Sequence, residues 1–555
     1  MDFSNITTPY PHLPRPTCRF GLSYRVVRAR NGEVSRLLAG MLGSIVLLGF
    51  LFYLTLKLRP EAARDTNEDA TINIYCAAGI AKPVEDLIEA FNSECGTNLK
   101  ITRTGGSGEL AGQIKTEFET GVKNGGELYI TADQYLLEKA RAEGIVAEQI
   151  PLAQQRPVVA IREGHTLEAT DLESLAKSTT IKFGISSQRA AVGKMVRKIA
   201  KRDGFLSELE ANKVSDFENV MTLAQALTTR SIDAAVIWDT TVAQINRNAK
   251  TGEKLEILCQ ADPSDQIRSN IAMGVVSTSP NPTLCLKLAR FLSAPEKGKA
   301  VFESFGFTFL SGDAWREIPE IHLYCGSMFT PVIEETVREF GLREGINLYP
   351  KWEGCGKLVA RMKAGKDTSS IPDAYFACDE MFLEQVQEHF RQPVVVTNNE
   401  IVMVVTESNK QTVTKPQDLA KPDLKVGICD PEQSALGALT QILLKQPRYG
   451  DLYIQLQTKA AVVVDVGPTL VSQLEAGGLD AAIVYRSNLL ANKKALEKLH
   501  LVEFDQRERS AVARQPWAVS RSTEFPLLME RLFDRIRQKQ VSDRFREFGF
   551  KVLQD

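Results

Sequence analysis

Histidine is scarce in this 555-residue chain, five in all and scattered, and no two of its nine cysteines stand as a CxxC pair. Zinc-ribbon and haem-attachment patterns are thereby excluded. No long basic run is present and the formal net charge is -2, which argues against a nucleic-acid binder held by global electrostatics. The chain also lacks a Ser-His-Asp pattern, an HExxH helix and a phosphate-loop Gly-Lys-Thr, so an enzyme is disfavoured and no cofactor is expected. Core-forming residues, by contrast, are plentiful: 43% hydrophobic against 25% charged. That is ordinary globular composition, and the length is too great for one core. Nine cysteines, an odd number, leave at least one thiol unpaired.

Residues 37–56 (LLAGMLGSIVLLGFLFYLTL) form an uncharged run of 20, enough at 1.5 Å per residue to cross a hydrocarbon core of about 30 Å. Six arginines precede it (Arg15, Arg19, Arg25, Arg28, Arg30, Arg36) against Asp2 and Glu33, whereas the residues after it mix signs. The bias predicts a cytoplasmic amino terminus and an extracytoplasmic remainder. A cleaved signal peptide is the rival, but the run exceeds the usual apolar region, and neither a small-x-small site nor a lipidation cysteine follows it. The expected order is a basic cytoplasmic arm over 1–36, an inner-membrane anchor over 37–58 and a polar stalk over 59–70.

Beyond the stalk the chain repeats itself. The strand pattern of residues 72–76 (INIYC), with a helix from Pro83, returns at 321–325 (IHLYC) with a helix from Pro331, and proline suits the first helical position in both. Gly106-Ser107-Gly108-Glu109-Leu110 returns as Gly354-Cys355-Gly356-Lys357-Leu358, and residues 128–133 (LYITAD) as 374–379 (AYFACD). Residues 233–238 (DAAVIW) return as 480–485 (DAAIVY), and 302–307 (FESFGF) as 545–550 (FREFGF). Matches in one order at separations of 243 to 249 residues mean a tandem duplication of a whole domain. The predicted units are 71–312 and 320–555, joined by 313–319. Each alternates short apolar strands with helices, the pattern of an α/β sheet covered on both faces, and this puts functional loops at the carboxyl ends of strands. A β-rich stretch midway, residues 156–161 or 400–405, leads to a second strand-loop-helix unit, so each copy reads as two lobes with a cleft.

These motifs together resemble the periplasmic molybdate-binding proteins of ABC importers. The likeness covers residues 71 to about 312 and again 320 to 555. It implies two tandem periplasmic-binding domains of type II behind one transmembrane helix, an ABC permease as membrane partner, and a small oxyanion ligand, molybdate or tungstate first. It further implies a site of neutral donors: hydroxyls from the first loop and the Gly/Ser loop, backbone N–H groups of the second lobe, and a tyrosine. Carried onto this chain, the candidates are Gly79, Ser107, Ala191, Val220 and Trp238 in the first copy, and Ser327, Cys355, Ala435, Gly467 and Tyr485 in the second. Neither copy keeps the whole set. The first loop of copy one has no hydroxyl and Trp238 stands for tyrosine; in copy two Cys355 replaces the serine and Gly467 the valine, and Asp430 would repel an anion unless its side chain turns away.

Blander readings accompany each candidate. Ser107 could be a helix cap, and Trp238 and Tyr485 core aromatics. Cys325, Cys355, Cys378 and Cys429 gather at strand ends of the second copy, which suits a soft-metal site or a disulfide across the cleft mouth, or plain packing. Asp133 and Asp379 read as caps of the helices that follow. The first copy is the better candidate for binding; a surface sensor or scaffold that has lost the site is the alternative to transport.

Overall fold

Strand-helix alternation starts at Ile74–Ala77, four residues buried on both faces, as expected of a strand with helices above and below. The computed structural model describes residues 71–553 apart from 124, 251–252, 265, 366–369 and 505–510; the arm, anchor and stalk lie outside the described residues. Those described belong to one compact unit, Ala62–Asp555.

In the first copy Ile74–Ala77 pairs in parallel with Ile101–Gly105 and Leu128–Thr131, and the sheet continues antiparallel through Ser269–Val276, Val146–Gln155 and Thr308–Phe309. The second lobe is a five-stranded sheet with Phe183–Ser186, Ala234–Trp238 and Pro157–Arg162 at its centre. Two-lobed geometry thus follows the predicted order. The chain crosses between lobes at Arg156, where Pro157 supplies no N–H and restrains its predecessor. The Arg156 N–H instead donates to Asp239 Oδ1 at 3.0 Å. In the second copy the crossing is one unbroken strand, Val394–Thr406, which pairs with Val512–Val519 along its first half and Ala481–Tyr485 along its second. One ten-stranded sheet results.

The prolines fall slightly inside their helices. Ala81–Cys95 and Thr330–Glu344 begin before Pro83 and Pro331, because a 3-10 turn at Ala78–Ile80 or Ser327–Phe329 runs straight into each. Proline is tolerated there since first-turn N–H groups lack a helical acceptor.

The copies are held together by buried charge. Glu344, 1% exposed, ends the helix Thr330–Glu344 and takes both Nε and Nη2 of Arg531, at 2.7 and 3.1 Å, and Nη1 of Arg290 from the first copy at 3.0 Å. Arg343 grips Glu148 of the first copy with two bonds at 2.5 and 3.0 Å. The connecting segment is packed: Trp315 lies edge-on to Phe291 at 4.9 Å, and Asp313 accepts the first-turn N–H groups of Leu527 and Leu528 at 2.7 and 2.9 Å.

Burial would push the Glu344 carboxyl up, but the Arg531 and Arg290 guanidiniums outweigh it and hold it below the ordinary 4.5. A carboxyl held low when folded adds stability above its unfolded value and loses it as pH falls through the folded one. Replacing Glu344→Ala leaves two buried guanidiniums without their carboxylate and is expected to cost about 3–5 kcal/mol. Urea unfolding would register this, with the gap between wild type and variant narrowing below pH 4.5.

Candidate functional site

Three helices of the first copy begin on one gap. Gly105 and Gly106 lead into Ser107–Thr120 from one lobe; Ala190 leads into Ala191–Asp203 and Asn219 into Val220–Thr228 from the other. First-turn N–H groups have no acceptor in their own helix, and each helix start carries partial positive charge. At the first of these starts Glu109, in the first turn, offsets part of the charge and its Oε2 accepts the Gly106 N–H at 3.4 Å. Gly106 and Ala190 make no side-chain cap, while Asn219 Oδ1 accepts from Met221 and Thr222 at 3.0 and 3.1 Å and not from Val220.

The gap holds a partly open cavity of about 30 Å³, above the ~10–15 Å³ one water needs and suited to a small ligand. Gly79, Ser107, Ala191, Val220 and Trp238 all line it, with Ala132 and Asn219 among their neighbours, and no charged residue does. Ser107 is buried and does not cap its own helix: its Oγ accepts the Ala132 N–H at 3.1 Å, and its carbonyl accepts the Tyr129 hydroxyl at 2.5 Å. With Oγ engaged as an acceptor, the hydroxyl proton is the part left to donate. Trp238 ends its strand buried, serving the core and the cavity wall at once.

The lobes are closed on each other. Gly108 N–H donates to Arg189 O at 3.2 Å, Gln244 Nε2 donates to Gly79 O at 3.0 Å, and Lys194 meets Asp133 at 3.3 Å while lying 4.0 Å over the Tyr135 ring. A Cβ at Gly79 would come within 3.3 Å of Val220 Cγ1, and one at Gly108 within 2.5 Å of Arg189 O.

In the second copy the same loops meet, with Gly356 N–H donating to Gln433 O at 3.1 Å and Lys357 paired with Asp465. Its interior is filled differently. Cys355 Sγ accepts the Cys378 N–H at 3.1 Å, the arrangement Ser107 makes with Ala132, but the Cys378 side chain then places its sulfur 2.8 Å from that of Cys355. Asn488 Oδ1 accepts the Tyr485 N–H and lies where a Cβ at residue 467 would be, which is why glycine stands at Gly467 in place of Val220. Ala435 opens its helix buried, and Tyr485 is buried with its hydroxyl unpartnered. Ser327 lies half-buried in the 3-10 turn, its carbonyl accepting the Thr330 hydroxyl.

Two points that the sequence leaves open for the second copy are decided by the fold. Asp430 does not face an anion, because its Oδ1 turns back to accept the Glu432 and Gln433 N–H groups at 2.8 and 3.0 Å. The four cysteines do not bridge the cleft mouth: Cys325, Cys355 and Cys378 share one lobe while Cys429 ends a strand of the other. Among the described residues no three His, Cys, Asp or Glu side chains are grouped to hold a metal ion. Asp133 and Asp379 are caps, accepting from Tyr135 and Met381. Sequence reasoning passed over Ala132, Asn219 and Asn488. The small-for-large exchange of Ala132 with Cys378 was visible in the repeat and was its available signal.

A family model for bacterial extracellular solute-binding proteins matches residues 72–308 and again 321–551. The chain belongs to that family, twice over. Among its relatives, a protein of Haemophilus influenzae inferred to be a binding protein is 25% identical over 239 residues, 43% of this chain and 91% of its own. A lipoprotein of Bacillus subtilis, inferred to bind substrate for an ABC transporter, is 24% identical over 155 residues, 28% of this chain and 56% of its own. The solved periplasmic molybdate-binding protein of Azotobacter vinelandii is 14% identical with a TM-score of 0.35, covering 42% of this chain and 100% of its own. This solute-binding chain carries both its cleft loops as paired elements, one from each lobe.

Closure depends on glycine where the two lobes touch. Gly108→Ala is expected to hold the first copy open, since its Cβ meets a backbone oxygen that cannot yield cheaply. Hydrogen exchange at the Ala191 and Gly106 amides would rise at least several-fold in that variant and remain unchanged around Gly356.

Proposed function

We propose that the chain captures a small tetrahedral oxyanion, molybdate or tungstate first, in its first copy, outside the cytoplasmic membrane, and presents it to an ABC permease. The observation that carries this reading is the lining of the first cleft, where three helix starts and the Ser107 hydroxyl converge on a small cavity without a charged side chain. Preorganised N–H and O–H dipoles can replace the hydration shell of an anion, and a fixed cavity then selects by size. No carboxylate lines the cavity to hold a cation. Lobe closure buries the ligand and supplies a shape that a permease can distinguish from the open form.

The second copy favours another role. With Cys355 and Cys378 in place of Ser107 and Ala132, and Asn488 filling the space beside Gly467, it has traded oxyanion donors for sulfur and a side-chain amide. It serves as a scaffold or sensor beside the binding copy. Residues 37–58 anchor the whole in the inner membrane with residues 1–36 inside.

Titration calorimetry of the full chain in detergent with molybdate, tungstate, sulfate and phosphate tests the ligand. One site per chain is expected, and Ser107→Ala should weaken it roughly 10–100-fold, the worth of one hydrogen bond to a charged group. Absence of heat and of any melting shift with all four anions would sink the oxyanion reading. Membrane fractionation tests the anchor: the full chain should sediment with membranes, and removal of residues 37–58 should release it.

A further inference from the structure

The exchange of Ser107 for Cys355 is one of three linked differences between the copies at one spot. Ala132, whose N–H donates to Ser107, becomes Cys378, and Ala77, which ends the first strand of the first copy, becomes Gly326 in the second. The last change explains how the other two fit. A Cβ at residue 326 would overlap the Cys378 sulfur and come within 3.3 Å of the Cys355 sulfur, so the methyl group that the first copy carries has been removed where the second copy holds two sulfurs. Three positions on three separate loops have changed together to seat one pair.

The pair is buried, at 0% and 6% exposure, with its sulfurs 2.8 Å apart, closer than two non-bonded sulfurs pack. Both residues belong to one lobe, so a bond between them leaves the cleft free to open and close. From this juxtaposition we infer that Cys355 and Cys378 form a reversible dithiol–disulfide site at the floor of the second cleft, reached by thiol and disulfide reagents when the lobes part.

The two cysteines are unequal. Cys355 is the first residue of the helix Cys355–Ala364, where the dipole favours a thiolate, and it accepts the Cys378 N–H. Burial opposes the charge, but contact with the Cys378 thiol and that N–H outweigh it, and the Cys355 thiol is drawn below its ordinary value. Contact with Cys355 and burial push the Cys378 thiol well above its own. Cys355 is therefore the attacking sulfur. Its thiolate displaces one thiolate from an exogenous disulfide RSSR, giving a Cys355–S–S–R mixed disulfide. Cys378 then loses its proton to solvent and attacks Cys355 Sγ, expelling the second RS⁻. Two electrons pass from the dithiol to RSSR and two protons finish on the two RSH released. An extracytoplasmic compartment supplies such disulfides; the inference rests on the proposed topology for that supply alone and does not depend on what the first copy binds.

The full chain in detergent, equilibrated with reduced and oxidised glutathione in varied ratio, acid-quenched, unfolded, alkylated and digested, tests it by mass spectrometry. As the oxidised share rises, the peptides carrying Cys355 and Cys378 should lose alkylation together and appear as one linked pair, returning when reductant is restored, while those of Cys325 and Cys429 stay alkylated. In Cys378→Ser, residue 355 should stop as the mixed disulfide with glutathione. In Cys355→Ser, residue 378 should form none. Both cysteines alkylated at every ratio, a mixed disulfide that never resolves in wild type, or linkage of either to another cysteine would overturn it. Each of these outcomes is independent of anion calorimetry, so failure of the oxyanion reading and failure of this one are separately visible.

Discussion

Helix starts that face one another across a narrow gap set the problem that both copies solve. Each start brings unsatisfied N–H groups and partial positive charge, and closing the gap brings them together, so closure requires acceptors between them. Part of the requirement is met by the protein itself: a carbonyl of the far lobe, Arg189 O or Gln433 O, accepts the N–H of the glycine after the loop residue, Gly108 or Gly356. This single bond recurs in both copies and demands glycine in both, since a Cβ would strike backbone of the opposite lobe. What remains between the helix starts is either left as a cavity or filled.

The first copy leaves it and the second fills it, and the choice is made by a handful of linked exchanges. Ala77, Ser107, Ala132 and Val220 in one become Gly326, Cys355, Cys378 and Gly467 in the other, with Asn488 entering where Val220 was. The replacements change the chemistry from hydroxyl and backbone N–H donors to sulfur and amide. The close packing of protein interiors explains why they come as sets: one added group without its paired deletion would force the neighbouring backbone to move. The crossing strands differ as well, broken at Arg156 in the first copy and continuous through Val394–Thr406 in the second. The copies are nonetheless one body, because Glu344 with Arg290 and Arg531, and Arg343 with Glu148, tie them through groups that water does not reach freely.

Sequence by itself determined the duplication, the α/β alternation, the two lobes and the family of fold. All of these are periodic or repeated signals, spread over many residues, and a local exception such as Pro83 entering two residues inside its helix leaves them intact. It also placed Ser107 and Trp238 correctly at strand and helix ends, since loop position follows from the order of elements. Tertiary structure alone decided what those residues touch. That Ser107 accepts from Ala132 and not from its own helix, and that of four gathered cysteines Cys355 and Cys378 bring their sulfurs within 2.8 Å, depend on angles between loops well separated along the chain. Spacing along a sequence carries the period of a helix or strand, but the distance between two side chains on different loops is set by how whole sheets pack, and this is written in no local pattern.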